Sequence, residues 1–191
     1  PAAKAGAFCA GMVLSERRDN AMVVVDMGGG YGGPLYEHLK DNHIETISYK
    51  GAEGTTRRSR EGKLAFTNKR SAAYWFFREG LDPGQPGGSP MALPPDPRLL
   101  AGLTAPTFEI TPHGIKLEPK VKFDEKGRAT GGVRAKLGFS PDEADAVVMS
   151  WFEGPRAITD ALSWQNDIAQ GHIKRNPVLI AGSRKPLTGR R

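Results

Sequence analysis

Acidic residues at two distant places in the chain carry the strongest chemical signal. Asp26 closes the apolar run Ala21-Met-Val-Val-Val25, and Asp142 and Asp145 lie within Ser140-Pro-Asp-Glu-Ala-Asp-Ala-Val-Val-Met149. Carboxylates are hard, charge-neutralising oxygen ligands. One at the exit of a buried strand, facing two more on the first turns of a helix, is how folds that bind two divalent metal ions assemble their ligand set. The chemistry that follows is that of a nuclease.

Each acid also has a structural explanation. The macrodipole favours Asp and Glu in a first helical turn, so Asp142 and Glu143 need no function. Asp145 lies in the second turn among Ala144, Ala146, Val147, Val148 and Met149, in a helix apolar enough to be largely buried. A carboxylate there requires a metal or a basic partner. Asp142, three residues back, lies on nearly the same face. Asp26 sits at the C-terminal edge of an expected parallel strand, where open α/β sheets place their sites, with an Asx turn or helix cap as its structural alternative.

The glycines after Asp26 open a different chemistry. Gly28, Gly30 and Gly33 satisfy G-x-G-x-x-G after a strand and before a helix, and Val-Val-Asp-Met-Gly-Gly-Gly-Tyr-Gly-Gly resembles the first motif of S-adenosylmethionine-dependent methyltransferases. Such a site wants an acid at the end of the next strand to hold a ribose. That strand ends Ser48-Tyr49-Lys50-Gly51, with no acid before Glu53.

Lys and Arg total 27 against 21 Asp and Glu, a net charge of +6, which favours a polyanionic partner. Seven basic residues (Lys50, Arg57, Arg58, Arg60, Lys63, Lys69 and Arg70) face only Glu53 and Glu61 between positions 50 and 70. This segment reads either as a phosphate-contacting loop or as a solvated surface loop. With Lys120 and Lys122 these positions, Lys50 aside, form the candidate DNA-binding set. The single cysteine, Cys9, rules out a disulfide framework and a cysteine-rich zinc site, and fits a reducing compartment. No stretch has the roughly 18 consecutive apolar residues of a membrane helix, and residues 1–14 lack a signal-peptide pattern.

The 191 residues, 38% hydrophobic, suffice for one core. The expectation is an α/β domain over residues 1–153 and a mobile, basic C-terminal extension over 154–191. Periodicity predicts a helix over 2–18 with Phe8 and Met12 on one face, a buried strand over 21–26, a helix from Pro34 to Asn42, and a strand over 44–49 that pairs in parallel with the first. A helix over 68–81 carries Tyr74-Trp-Phe-Phe77, read as core. The Pro- and Gly-dense stretch 82–97 reads as loop and 98–103 as a short helix. Residues 107–111 and 115–117 read as a hairpin, and 120–134 as a charged, irregular connection. Ser140-Pro141-Asp142-Glu143 predicts a capping box opening a helix to Phe152.

The succession of these motifs over residues 8–153 resembles the C-terminal nuclease domain of bacteriophage large terminase subunits. The segments that carry the resemblance are Val-Val-Val-Asp26 with its glycine turn, Asn68-Lys-Arg-Ser-Ala-Ala-Tyr-Trp-Phe-Phe-Arg-Glu-Gly-Leu81, Leu93-Pro-Pro-Asp-Pro-Arg-Leu-Leu100, Gly114-Ile-Lys-Leu-Glu-Pro-Lys120 and Gly138-Phe-Ser-Pro-Asp-Glu-Ala-Asp-Ala-Val147. The resemblance implies a ribonuclease-H-like mixed sheet flanked by helices and an endonuclease that cuts concatemeric viral DNA with two Mg²⁺ or Mn²⁺ ions. Asp26 would be the second acidic ligand and Asp145 the third, with Asp142 assisting. It also implies double-stranded DNA, a packaging ATPase domain, a small terminase subunit and a portal as partners, in the cytoplasm of a bacterial host. The family's first catalytic aspartate lies on strands preceding the helix at 2–18, which this sequence does not contain, and no Walker A motif is present. The expectation is therefore a fragment or divergent relative with weak metal binding and little activity alone. The alternatives are a methyltransferase-like domain and a non-catalytic nucleic-acid-binding fragment.

Overall fold

The computed structural model describes residues 2–18, 21–85 and 87–152; the basic extension expected over 154–191 lies outside them. In chain order the elements are α1 (Ala2–Glu16), β1 (Val23–Asp26), a 3-10 turn (Gly28–Gly30), α2 (Gly33–Asp41), β2 (Thr46–Tyr49), α3 (Lys69–Leu81), α4 (Pro97–Thr104), β3 (Phe108–Thr111), β4 (Gly114–Leu117), β5 (Lys122–Phe123), β6 (Ala129–Gly131), α5 (Val133–Leu137) and α6 (Asp142–Phe152). The fold is mixed α/β. Among the described residues its strands form three separate two-stranded sheets: parallel β1–β2, and the antiparallel hairpins β3–β4 and β5–β6.

The β1–β2 pair divides the interior in two. On a strand, successive side chains point to opposite faces. Val23 and Val25 accordingly join Ala10, Val13, Leu35 and Leu39 beneath α1 and α2. Val24 faces the other way, into the larger core of Tyr49, Phe66, Ala72, Ala73, Phe77, Ile115, Val148 and Phe152. The same alternation puts Asp26, two residues after Val24, on the α3 and α6 side. Tyr49 is its register partner on β2.

Local chemistry starts and joins the elements. Asn68 Oδ1 accepts from the Ser71 N–H at 2.8 Å and caps α3. Asp96 accepts from the Arg98 and Leu99 N–H groups with Pro97 in the first turn, and starts α4. The buried Ser71 hydroxyl accepts from the Leu117 N–H at 3.0 Å, tying β4 to α3. Gly102 packs α4 closely on α6, where an added Cβ would lie 2.9 Å from Ala144 Cβ. The aromatic run of α3 is core, as predicted: Tyr74 and Phe77 are buried, and Trp75 and Phe76 pack against the same cluster.

Phe8 and Met12 share one face of α1, as expected, and that face is the outer one, 70% and 56% exposed. The helix packs through its small residues instead, because Gly6 contacts Pro34 of α2 and Ala10 is buried. Two expectations are corrected. Residues 120–134 are not irregular. Asp124 Oδ1 accepts from the N–H groups of Lys126 and Arg128 to close the β5–β6 turn, and α5 follows. At Ser140 the capping box does not form: the hydroxyl donates to Asp142 Oδ1 at 2.7 Å, and Glu143 pairs with Arg98 at 3.1 Å.

Gly114, at the start of β4, has φ of 116° and would carry a Cβ 2.5 Å from the Ala65 carbonyl oxygen. Both the left-handed backbone and that contact oppose a side chain. Gly114→Ala should destabilise the domain by about 1–3 kcal/mol, measured as a lowered denaturation midpoint. An unchanged midpoint would show that the β4 junction yields freely.

Candidate functional site

A cavity of about 310 Å³ opens at the C-terminal ends of both parallel strands, lined by Asp26, Gly28, Tyr49, Gly51, Ala52, Arg70, Tyr74, Lys120, Asp145, Val148 and Met149. Asp26 and Asp145, 119 residues apart in sequence, therefore line one space. β1 supplies the first through its alternation and α6 the second through its helical face. This is the edge where α/β sheets receive ligands.

Asp145 is the most constrained group there. Its side chain is 15% exposed. Its Oδ1 accepts from the Tyr74 hydroxyl at 2.7 Å and lies 3.4 Å from Arg70 Nε, while Oδ2 lies 2.6 Å from Lys120 Nζ. Arg70 and Tyr74 are four residues apart on α3, so one helix face presents both donors. Burial, followed by the charge of Asp145, pushes the Tyr74 phenol well above its ordinary value, and Tyr74 stays a hydrogen-bond donor. Arg70 also donates to the Glu118 carbonyl at 2.8 Å, and its buried Nη2 has no partner among the described residues. The expected basic partner of Asp145 is thus a pair of cations, Arg70 and Lys120.

Lys120 bridges the two aspartates of α6, meeting Asp142 Oδ1 at 3.0 Å as well as Asp145. Burial alone would lower its ammonium, but the hydrogen bond and charge of Asp145, helped by Asp142, raise it above the usual value. The hydroxyl of Ser140, then Lys120, lowers the Asp142 carboxyl. The β5–β6 hairpin fixes the lysine's backbone: Gly132, with φ of 100°, passes under it so closely that a Cβ would meet the Lys120 and Pro119 carbonyl oxygens at 2.7 and 2.8 Å. The N–H groups of Val133 and Arg134 donate to those same carbonyls.

Asp26 is exposed and has no ion-pair partner among the described residues. Its Oδ1 accepts from the Gly28 N–H at 2.8 Å, which is the Asx-type turn anticipated as its structural role. Among the described residues no hydrogen bond or ion pair engages Asp26 Oδ2. Three carboxylates and two cations leave this cluster with one net negative charge, and among the described residues no three acids, histidines or cysteines gather as a metal-ligating group. The oxygen donors fit a hard cation in kind but are too few and too well paired, as arranged, to hold two divalent ions.

The remaining candidates separate by their contacts. Arg60 is an internal clamp, with Nη2 donating to the Glu79 carbonyl and to Gln85 Oε1. Lys63 pairs with Glu61, Lys69 with Glu53, and Lys122 with Glu118. Arg57 is exposed with its guanidinium 4.1 Å over the Phe152 ring, and Arg58, also exposed, has no acidic partner among the described residues. Glu53, the nearest acid after β2, is held by Lys50 and Lys69 and does not line the cavity. Sequence reasoning missed the Tyr74 hydroxyl; its spacing from Arg70 was the available signal.

No protein-family profile, curated protein or solved structure matches the chain. No described helix is long and apolar enough to cross a membrane.

Behind the cavity, Glu118 has a side chain only 4% exposed, contacted by Lys136, Lys122 and Thr107. Burial alone would raise its carboxyl, but hydrogen bonds from Lys136, Thr107 and Lys122 hold it at about 2 against an ordinary 4.5. A depressed value means that stabilisation is complete above pH 4.5 and lost as pH falls through about 2. Relative to Glu118→Gln, the native chain should be more stable by about 2–3 kcal/mol at neutral pH, with the gap closing in acid. A pH-independent gap in denaturant titrations would contradict this.

Proposed function

We propose that this domain is a divalent-cation-dependent endonuclease acting on double-stranded DNA, the nuclease module of a phage genome-packaging terminase built on a ribonuclease-H-like fold. The observation that carries the reading is that Asp26 and Asp145 line one cavity at the C-terminal edge of a parallel strand pair. A packaging ATPase domain, a small terminase subunit, a portal and a bacterial cytoplasm belong to the same proposal.

Asp26 and Asp145 would hold Mg²⁺ or Mn²⁺, with Asp142 beside them; a bound divalent ion supplies activation of water and charge neutralisation at the leaving oxygen. The protein's own part is orientation. Tyr74 and Arg70 fix one oxygen of Asp145 from α3, and the Gly28 N–H fixes one oxygen of Asp26. Arg57 and Arg58 supply exposed positive charge for the phosphate backbone, contacts that position DNA without reading its sequence. The pairing of Glu53 with Lys50 and Lys69, away from the cavity lining, weakens the methyltransferase alternative.

Calorimetry should register Mn²⁺ binding that is lost in Asp26→Ala and in Asp145→Ala, and no binding of S-adenosylmethionine. Any plasmid nicking should require Mn²⁺ and disappear in both variants. Tight S-adenosylmethionine binding, or Mn²⁺ binding indifferent to both substitutions, would overturn the proposal.

The basic residues generate a separable expectation. Arg57→Glu with Arg58→Glu should weaken duplex binding and make its salt slope less negative by about 2, near one unit for each phosphate that is no longer neutralised. Arg60→Glu should instead lower stability, because it breaks the clamp on Glu79 and Gln85. A salt slope unchanged by the Arg57 and Arg58 reversals would mark that loop as merely solvated.

A further inference from the structure

The two oxygens of Asp145 are held very differently. Oδ1 is gripped from α3 by the Tyr74 hydroxyl and the Arg70 guanidinium, both anchored in a helix and the latter also bonded to the Glu118 carbonyl. Among the described residues Oδ2 meets only the ammonium of Lys120, at the end of a flexible four-carbon chain whose side chain is 34% exposed. That ammonium also contacts Asp142 Oδ1 and lines the cavity that Asp26 enters. It stands among oxygen atoms where a small hard cation would be attracted, and it cancels the charge such a cation needs. Arg70 cannot leave in the same way, because its second bond holds it to the backbone.

We propose that Lys120 is an exchangeable counter-ion that competes with a divalent cation for Asp145 Oδ2, so that cation entry requires the lysine to swing out. This rests on the nuclease reading and adds to it a control on metal loading. Lysine suits the role: its charge sits on a compact group with several rotatable bonds, and its backbone is pinned by Gly132 and the β5–β6 hairpin, so the head can move while the stem stays in place. Removing one positive charge a few ångströms from the cation position strengthens divalent binding substantially, since the interaction scales with the product of the charges.

The test is Mn²⁺ calorimetry on the full chain and on Lys120→Met, Lys120→Gln and Lys120→Arg. The neutral variants should bind Mn²⁺ about tenfold more tightly or better, while Lys120→Arg stays near the native affinity. Equal affinity in native and neutral forms overturns the counter-ion role and leaves the nuclease reading standing. Tightening in Lys120→Arg as well would trace the effect to repacking rather than charge, and also overturns it. Absence of Mn²⁺ binding in every form defeats both. Should the neutral variants fail to fold, the unaltered chain decides: acylation of Lys120 by an amine-reactive reagent, read by mass spectrometry, should rise on adding saturating Mn²⁺. Unchanged or reduced labelling overturns the exchange.

Discussion

The Asp145 carboxylate is the junction on which the site depends. It projects from an apolar helix into a largely enclosed space, and a carboxylate in that position must be compensated by charge and hydrogen bonds or take up a proton. Compensation comes from two other parts of the chain: α3 through Arg70 and Tyr74, and the segment after β4 through Lys120. Hydrogen bonds to a charged group contribute about 1.5–3 kcal/mol each when well formed. The 3.4 Å contact to Arg70 falls at the weak end, and the contacts from Tyr74 and Lys120 at the strong end. One acid thus fixes the mutual placement of α3, α6 and the β4–β5 connection.

The scaffold brings Asp26 to the same place by a different route. Alternation along β1 sends Val23 and Val25 under α1 and α2 and leaves Val24 and Asp26 on the opposite side. The strand's end is set by the glycine turn, where Gly32 packs against the Asp26 carbonyl so tightly that a side chain there would displace it. Glycine in this loop therefore serves close backbone packing, and a phosphate-cradling role is not needed to explain it. A two-stranded parallel sheet is small for such a task. Burial of Val25, Leu39 and Tyr49 on its two faces supplies what the short ladder of hydrogen bonds does not.

Much of this was legible in the sequence because it is local. The helix over 68–81 forms where its periodicity puts it, Asp26 forms the Asx turn named as its structural alternative, and β1 and β2 pair in parallel around α2. What was not legible depends on long-range contacts. The sequence puts Phe8 and Met12 on one face of α1 without saying which way it turns, and close approach to Pro34 selects Gly6 and Ala10 as the inner face. The 120–134 hairpin was hidden by its charge: its turn is closed by an aspartate side chain, and its return leg is positioned by Gly132 against carbonyls a dozen residues earlier. Tyr74 lay inside an aromatic run that reads as core, and it is core everywhere except at its hydroxyl.

The same distinction changes how the basic charge is to be understood. Composition counts Arg60, Lys69, Arg70, Lys120 and Lys122 with the cations available to a polyanion, but each has a defined internal partner, and Arg60 and Arg70 bond to backbone carbonyls that no phosphate would replace. Surface pairs such as Lys63 with Glu61 contribute little to stability and open readily toward a phosphate. Arg70 and Lys120 belong to the opposite case, because moving either uncovers a partly buried carboxylate. Arg70 is held in place by its bond to the Glu118 carbonyl, and displacement of Lys120 has to be coupled to the arrival of another cation. The positive charge nearest the cavity therefore governs the state of Asp145, and under the proposed nuclease reading any attraction for nucleic acid would fall to the exposed arginines of the loop before α3.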